Sequence, residues 1–192
     1  SHDQHKLSNR VAEKNGAFWY DLGNENWSAV KIDKSGWRIV KKTPILFRRR
    51  QHLKEQVLPE KEGDPWEFIN FINIEDEHQK TLLMVYLISL FIPGINHAIL
   101  ILSGGPGTAK TTLMKYIRKL VDPSQIPVMN FTSDERQLIQ TFDHHYCSFF
   151  DNVSKISNNQ SDNLCKAATG IGMQIRKLYT DDEYIIRKFK RC

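Results

Sequence analysis

Within nine residues the chain places Gly104, Gly105, Gly107, Thr108, Ala109, Lys110, Thr111 and Thr112, with Pro106 among them. Those residue types could hold a polyphosphate. Glycines let backbone N–H groups converge closely on phosphate oxygens. Amides at the start of a following helix add partial positive charge. Lys110 would reach the β- and γ-phosphates of a nucleotide as a mobile cation, and the Thr111 hydroxyl would ligate Mg²⁺. The spacing is that of a P-loop, or Walker A motif, G-x-x-x-x-G-K-[ST], with Ala109 at the second glycine. A methyl group there is tolerable if φ is negative.

A second group of residues fits the other half of such a site. Tyr146 to Phe150 reads as an apolar strand ending in Asp151. In P-loop enzymes a neighbouring strand brings an aspartate to the metal shell, the Walker B role. Asn152 follows, where many such ATPases carry the carboxylate that activates water. An asparagine can orient water but cannot take its proton, so hydrolysis is expected to be slow or to use a base elsewhere. His144-His145-x-Cys147 is too tight for a standard zinc spacing and reads as ordinary histidines.

The elements that must position these residues follow from periodicity. Ile99–Leu102 reads as a buried strand feeding the loop. Leu113, Ile117, Leu120 and Val121 follow at helical spacing, and Asp122-Pro123 ends the helix. Ile126–Met129 reads as a strand, and Thr132 with Glu135 as a capping box for the next helix. A helix over 160–169, stopped by Gly170, leads to a hairpin of 174–179 and 184–189. That hairpin carries Arg176, Lys177, Arg187 and Lys188, which read either as DNA contacts or as a solvated edge that resists aggregation.

Upstream the texture differs. Residues 1–16 are polar and are expected to fray. Residues 17–48 hold short β-like runs with a hairpin turn at Asp33–Gly36, a small antiparallel module. Its tryptophans could stack on bases with Lys31, Arg38, Lys41 and Lys42 on phosphates, but filling a small core is the favoured reading. Residues 49–65 read as a linker that begins in a solvated basic triplet, Arg48–Arg50. Residues 66–192 then hold a helical lead-in and the P-loop domain. Its long helix, about 75–91, is apolar on all sides and is expected to be buried.

The formal net charge of +5 over 192 residues permits a nucleic-acid partner without requiring one. Three dispersed cysteines suit a reducing compartment rather than a disulfide framework, and no signal peptide is expected. The longest apolar run is shorter than the ~20 residues a bilayer takes. A cytoplasmic protein with no membrane partner is expected.

Taken in order, "ILFRR", the apolar helix, "LSGGPGTAKTT", "FFDNVS", "SDNLCKAATG" and "RKLYTDDE" resemble the ATPase region of phage- and plasmid-type primase-helicases. These are related to superfamily 3 helicases within the AAA+ group, and the resemblance covers roughly residues 17–192. It implies an α/β P-loop NTPase core with a parallel sheet, truncated at its C-terminus. ATP and Mg²⁺ would be its cofactors, and Lys110, Asp151 and Asn152 its catalytic residues. The 176–188 stretch would line the channel of a hexameric homo-oligomeric ring acting on single-stranded or forked DNA. The family's polar sensor and arginine finger would lie beyond Cys192, so the chain is expected to be a fragment of a replication protein. A AAA+ protein-remodelling or regulatory ATPase, or a weakly hydrolysing nucleotide-binding scaffold, are the alternatives. A small-molecule kinase fits less well, because no lid-like arginine-rich segment separates the two motifs.

Overall fold

A computed structural model describes residues 7–176, 184–187 and 190–192, with the backbone alone for 173–176 and 184–187. The chain divides into two units. One runs to Pro93 and takes in Thr112–Pro127; the other comprises Gly94–Thr111 and Val128–Cys192.

The first unit is built on a four-stranded antiparallel sheet. Strand β1 (Leu7–Ser8) pairs in parallel with the distant β6 (Leu46–Phe47). Between them β2 (Val11–Lys14), β3 (Ala17–Asp21), β4 (Ala29–Asp33) and β5 (Gly36–Val40) pair in chain order, so β5 is an edge. The turn expected at Asp33–Gly36 is present, with Asp33 paired to Gly36. Gly36 adopts φ +110°, which an L side chain resists.

Alternation along the strands gives the sheet two faces. On one, Ala12, Ala17, Trp19 and Ala29 pack with Ile45 and Phe47. On the other, Val11, Tyr20 and Val30 are buried. The Tyr20 hydroxyl donates to Val121 O at 2.8 Å, and its ring lies 5.6 Å from that of Phe91. Of the module's tryptophans, Trp19 fills a core, while Trp27 and Trp37 are exposed.

Residues 7–16, expected to fray, are instead ordered by pairing and by Arg10. This arginine is 1% exposed. Its guanidinium bonds Asp122 Oδ1 at 2.9 Å and the carbonyls of Asp21, Lys54 and Pro123 at 3.0–3.1 Å. A buried cation needs that many acceptors to offset lost hydration. The linker expected at 49–65 is also tied down in its first part. Arg49 makes a two-pronged contact with the Asp21 carboxylate at 2.5 and 2.9 Å, and Gln56 donates to Leu120 O at 2.7 Å. Helices α1 (Trp66–Asn70) and α2 (Glu77–Ser89) fall in the same unit as the β module.

Asp76 caps α2 by accepting from Gln79 N at 2.9 Å. The helix buries Leu83, Met84 and Leu87, while Leu82, Val85 and Ile88 are exposed. The expectation of all-round burial is corrected accordingly: a 13-residue helix packed on one side covers one stripe. Helix α3 (Lys110–Val121) starts in the second unit and ends in the first, where Ile117 and Val121 are fully buried.

In the second unit β7 (Met129–Asn130) pairs in parallel with β8 (Phe150–Asp151). Helix α4 (Glu135–His144) and helix α5 (Asn158–Thr169) pack Leu138, Ile139, Phe142 and Ala167 together. Phe150 sits among Phe131 and Phe142, with centroids 4.9 and 6.2 Å away. The α4 cap is Asp134, whose carboxylate accepts from Arg136 N and Gln137 N, not the expected Thr132. Thr132 instead accepts from Asp134 N at 3.1 Å. A full capping box occurs at Ser157 and Gln160 of α5, and Gly170 ends that helix at φ +82°.

Strands β9 (Met173–Arg176) and β10 (Tyr184–Arg187) form the expected antiparallel hairpin, with Tyr184 opposite Arg176 and Arg187 opposite Met173. Residues 177–183 and 188–189, Lys177 and Lys188 among them, lie outside the described residues.

Candidate functional site

Alternation in β8 sets the geometry of the candidate site. Phe150 turns into the aromatic cluster, so Asp151 faces the opposite way. There Asp151 Oδ2 accepts a hydrogen bond from Thr111 Oγ1 at 2.5 Å, and its Oδ1 accepts from Asn152 N at 2.8 Å. The two expected metal-shell oxygens, far apart in sequence, are thus in direct contact. A hydroxyl beside one carboxylate is the sparse, hard-oxygen set that suits Mg²⁺, which keeps most of its shell as water and phosphate oxygens.

The glycine-rich loop wraps around the Lys110 amine. Nζ donates to Gly104 O at 2.9 Å, Gly105 O at 2.7 Å and Thr108 Oγ1 at 3.0 Å. All three ammonium protons are engaged by the loop itself. An anion seated there would exchange neutral acceptors for charged ones, which bind an ammonium more strongly. Thr108 also donates to Gly105 O at 2.9 Å, and a Cβ at Gly104 would approach Thr108 Oγ1 at 3.0 Å. Gly104 (φ +152°) and Gly107 (φ +78°) use backbone space that other residues avoid. Thr112 continues α3 directly after Thr111.

Two expectations about this loop are corrected. Ala109 has φ +59°, not a negative value. The alanine occupies the left-handed conformation that a glycine would take without strain. Ile99–Leu102 is not a buried strand: among the described residues it joins no ladder, and Ile99 and Ile101 are 47% and 77% exposed. Asn152 also has a positive φ, +56°, a conformation asparagine adopts more readily than most residues.

Beyond the loop, the segment ahead of β8 is closed by residues 190–192. Ser148 N donates to Cys192 O at 2.7 Å, and Cys147 Sγ lies 2.8 Å from Cys192 Sγ. Two of the three cysteines that look dispersed in sequence are thus brought together in space, while Cys165 is exposed. His97 is buried edge-on against Tyr146, its ring centroid 6.4 Å away. Burial lowers its pKa below the usual histidine value, and the Lys190 charge lowers it further. Among the described residues no group of three or more His, Cys, Asp or Glu is placed to hold a metal ion, and no helix is long and apolar enough to cross a membrane.

Sequence reasoning missed Arg10 and the cysteine contact. A single arginine in a polar segment carries no local signal of burial, and the cysteine spacing alone gives none of proximity.

Residues 66–192, well over half of the chain, match the family model of the actinomycete integrative conjugative element replication protein, AICE_RepA. The chain belongs to that family, and so to the replication proteins of mobile elements. No curated protein and no solved structure matched the chain.

Proposed function

We propose that this chain carries the nucleotide site of a DNA replication motor of a mobile element, binding ATP with Mg²⁺. The observation that supports this most is the Thr111–Asp151 contact beside a glycine-rich loop curled around Lys110. In this reading the loop amides and Lys110 bind the β- and γ-phosphates. Thr111 and Asp151 hold the metal, which when bound would neutralise charge developing on the phosphates. Asn152 positions water. The P-loop core is an AAA+, superfamily 3-like helicase domain that assembles as a hexameric ring in the cytoplasm. Arg176, Lys177, Arg187 and Lys188 contact single-stranded or forked DNA through the hairpin.

Family membership supports a replication role; the ATPase and helicase activities rest on the loop and the resemblance. A weakly hydrolysing nucleotide-binding scaffold is the second reading, favoured by Ala109 at φ +59° and by an amide, not a carboxylate, at Asn152.

The test is equilibrium binding of Mg-ATP to the chain, followed by ATP turnover with and without single-stranded DNA. Binding that is lost in Lys110→Ala, with DNA-stimulated turnover, supports the motor. Lys110-dependent binding with no turnover in the full-length protein selects the scaffold. Equal Mg-ATP binding by Lys110→Ala overturns both.

A further inference from the structure

Between Ala29 and Arg50 eight side chains are Lys or Arg and one, Asp33, is acidic, whereas the whole chain carries a formal net charge of only +5. This positive charge lies on the β module, ahead of the residues that match the family. The same module leaves part of one sheet face uncovered. Cross-strand register puts Phe18, Ile32 and Trp37 in one row and Val30 and Ile39 in the next, all on one face. Val30 is buried, but Ile32, Trp37 and Ile39 are 36%, 37% and 41% exposed. Trp37 and Ile39 stand on the edge strand β5, followed by the exposed Lys41 and Lys42.

The cations around this face differ in what holds them. Asp33 pairs with Lys31 at 2.8 Å and Arg38 at 3.1 Å. Arg49 is engaged by Asp21 and lies 3.9 Å over the ring of the exposed Trp27. Among the described residues none is bonded to the side chains of Lys34, Lys41 or Lys42, which stand exposed at the two ends of β5. Three exposed ammonium groups at the ends of the strand that carries Trp37, against the exposed Glu13 in the same cross-strand row and Asp33 on the opposite face, suit a ligand that is flat, apolar in its plane and polyanionic.

We propose that the β4–β5 face is a binding site for single-stranded nucleic acid. Bases stack on Trp37 beside Ile32 and Ile39, and Lys34, Lys41 and Lys42 follow the phosphates. Stacking of this kind tolerates any sequence, because every base has a π-face. The charge excess selects a nucleic acid over an apolar protein segment. The proposal does not rest on the nucleotide loop or on the hairpin.

The experiment is fluorescence anisotropy of a labelled oligothymidine strand with the whole chain, without nucleotide, over a salt series. Trp37→Ala is expected to weaken binding about tenfold, with Trp37→Phe restoring most of it. Lys41→Ala with Lys42→Ala should weaken binding and reduce the slope of log affinity against log salt by about 1.4. Arg176→Ala with Lys177→Ala serves as the comparison. If only that pair lowers affinity, the β-module site is wrong and the hairpin stands. If no variant or parent binds the strand at low salt, the proposal is overturned. It is overturned equally if Trp37→Ala changes the sedimentation coefficient of the DNA-free protein, which would make this face a contact between copies. Variants are compared after circular dichroism shows an unchanged thermal transition.

Discussion

The Thr111 hydroxyl and the Asp151 carboxylate lie 2.5 Å apart, one on the first turn of α3 and the other at the end of β8. Neither residue needs the other for its own element to form. The contact exists because Phe150, the neighbour of Asp151, is anchored among Phe131 and Phe142.

Asp151→Ala and Thr111→Ala should each make nucleotide affinity insensitive to Mg²⁺, because each removes one oxygen of the pair. Lys110→Ala should weaken binding with or without the metal, by about 3 kcal/mol or on the order of a hundredfold. Isothermal titration with Mg²⁺ present and absent separates the two effects. A metal response that survives in Asp151→Ala would remove that residue from the site.

Ala109→Gly should stabilise the protein by about 1 kcal/mol. A non-glycine residue at φ +59° bears a cost of about 1–2 kcal/mol, part of which is returned by the greater freedom of glycine in the unfolded chain. Urea unfolding at constant slope measures the change. Destabilisation by the glycine would show that the left-handed conformation is absent in solution.

Arg10→Ala should cost about 3 kcal/mol, since it takes a donor from three carbonyls and leaves the buried Asp122 paired with Arg118 at 3.4 Å. The exposed Arg38 gives a contrast: its ion pair with Asp33 lies in solvent, and Arg38→Ala should change stability by less than about 1 kcal/mol. Chemical denaturation of the two variants side by side checks this.

His97 should make folding sensitive to mild acid. Its pKa is lowered in the folded state by burial and then by Lys190, so the unfolded chain takes up a proton first as pH falls. Stability from this group is complete above about pH 6.5, the ordinary histidine value, and is lost as pH falls from there through the folded pKa. His97→Gln should flatten the stability profile below about pH 6.5. An unchanged profile would show that this histidine is not the group that titrates.

Much of the local structure was legible. The turn at Asp33–Gly36, the hairpin strands β9 and β10 and the ends of α3 and α5 all follow from residues adjacent in sequence, because turn chemistry and periodicity act over a few positions. Reasoning failed where an element's fate depends on what packs against it. Ile99–Leu102 has the composition of a buried strand but finds no partner strand among the described residues, and Leu82, Val85 and Ile88 face outward on a helix apolar all round.

The sequence by itself determined which residues could do the chemistry: a glycine loop ending in Lys110 and Thr111, and an apolar run ending in Asp151. Tertiary structure alone decided that Thr111 and Asp151 touch, that Ala109 is left-handed, and that Arg10 is sealed inside a segment expected to fray. The reason is physical: each of those outcomes is set by long-range packing and by the need to satisfy buried polar groups, which no window of neighbouring residues contains.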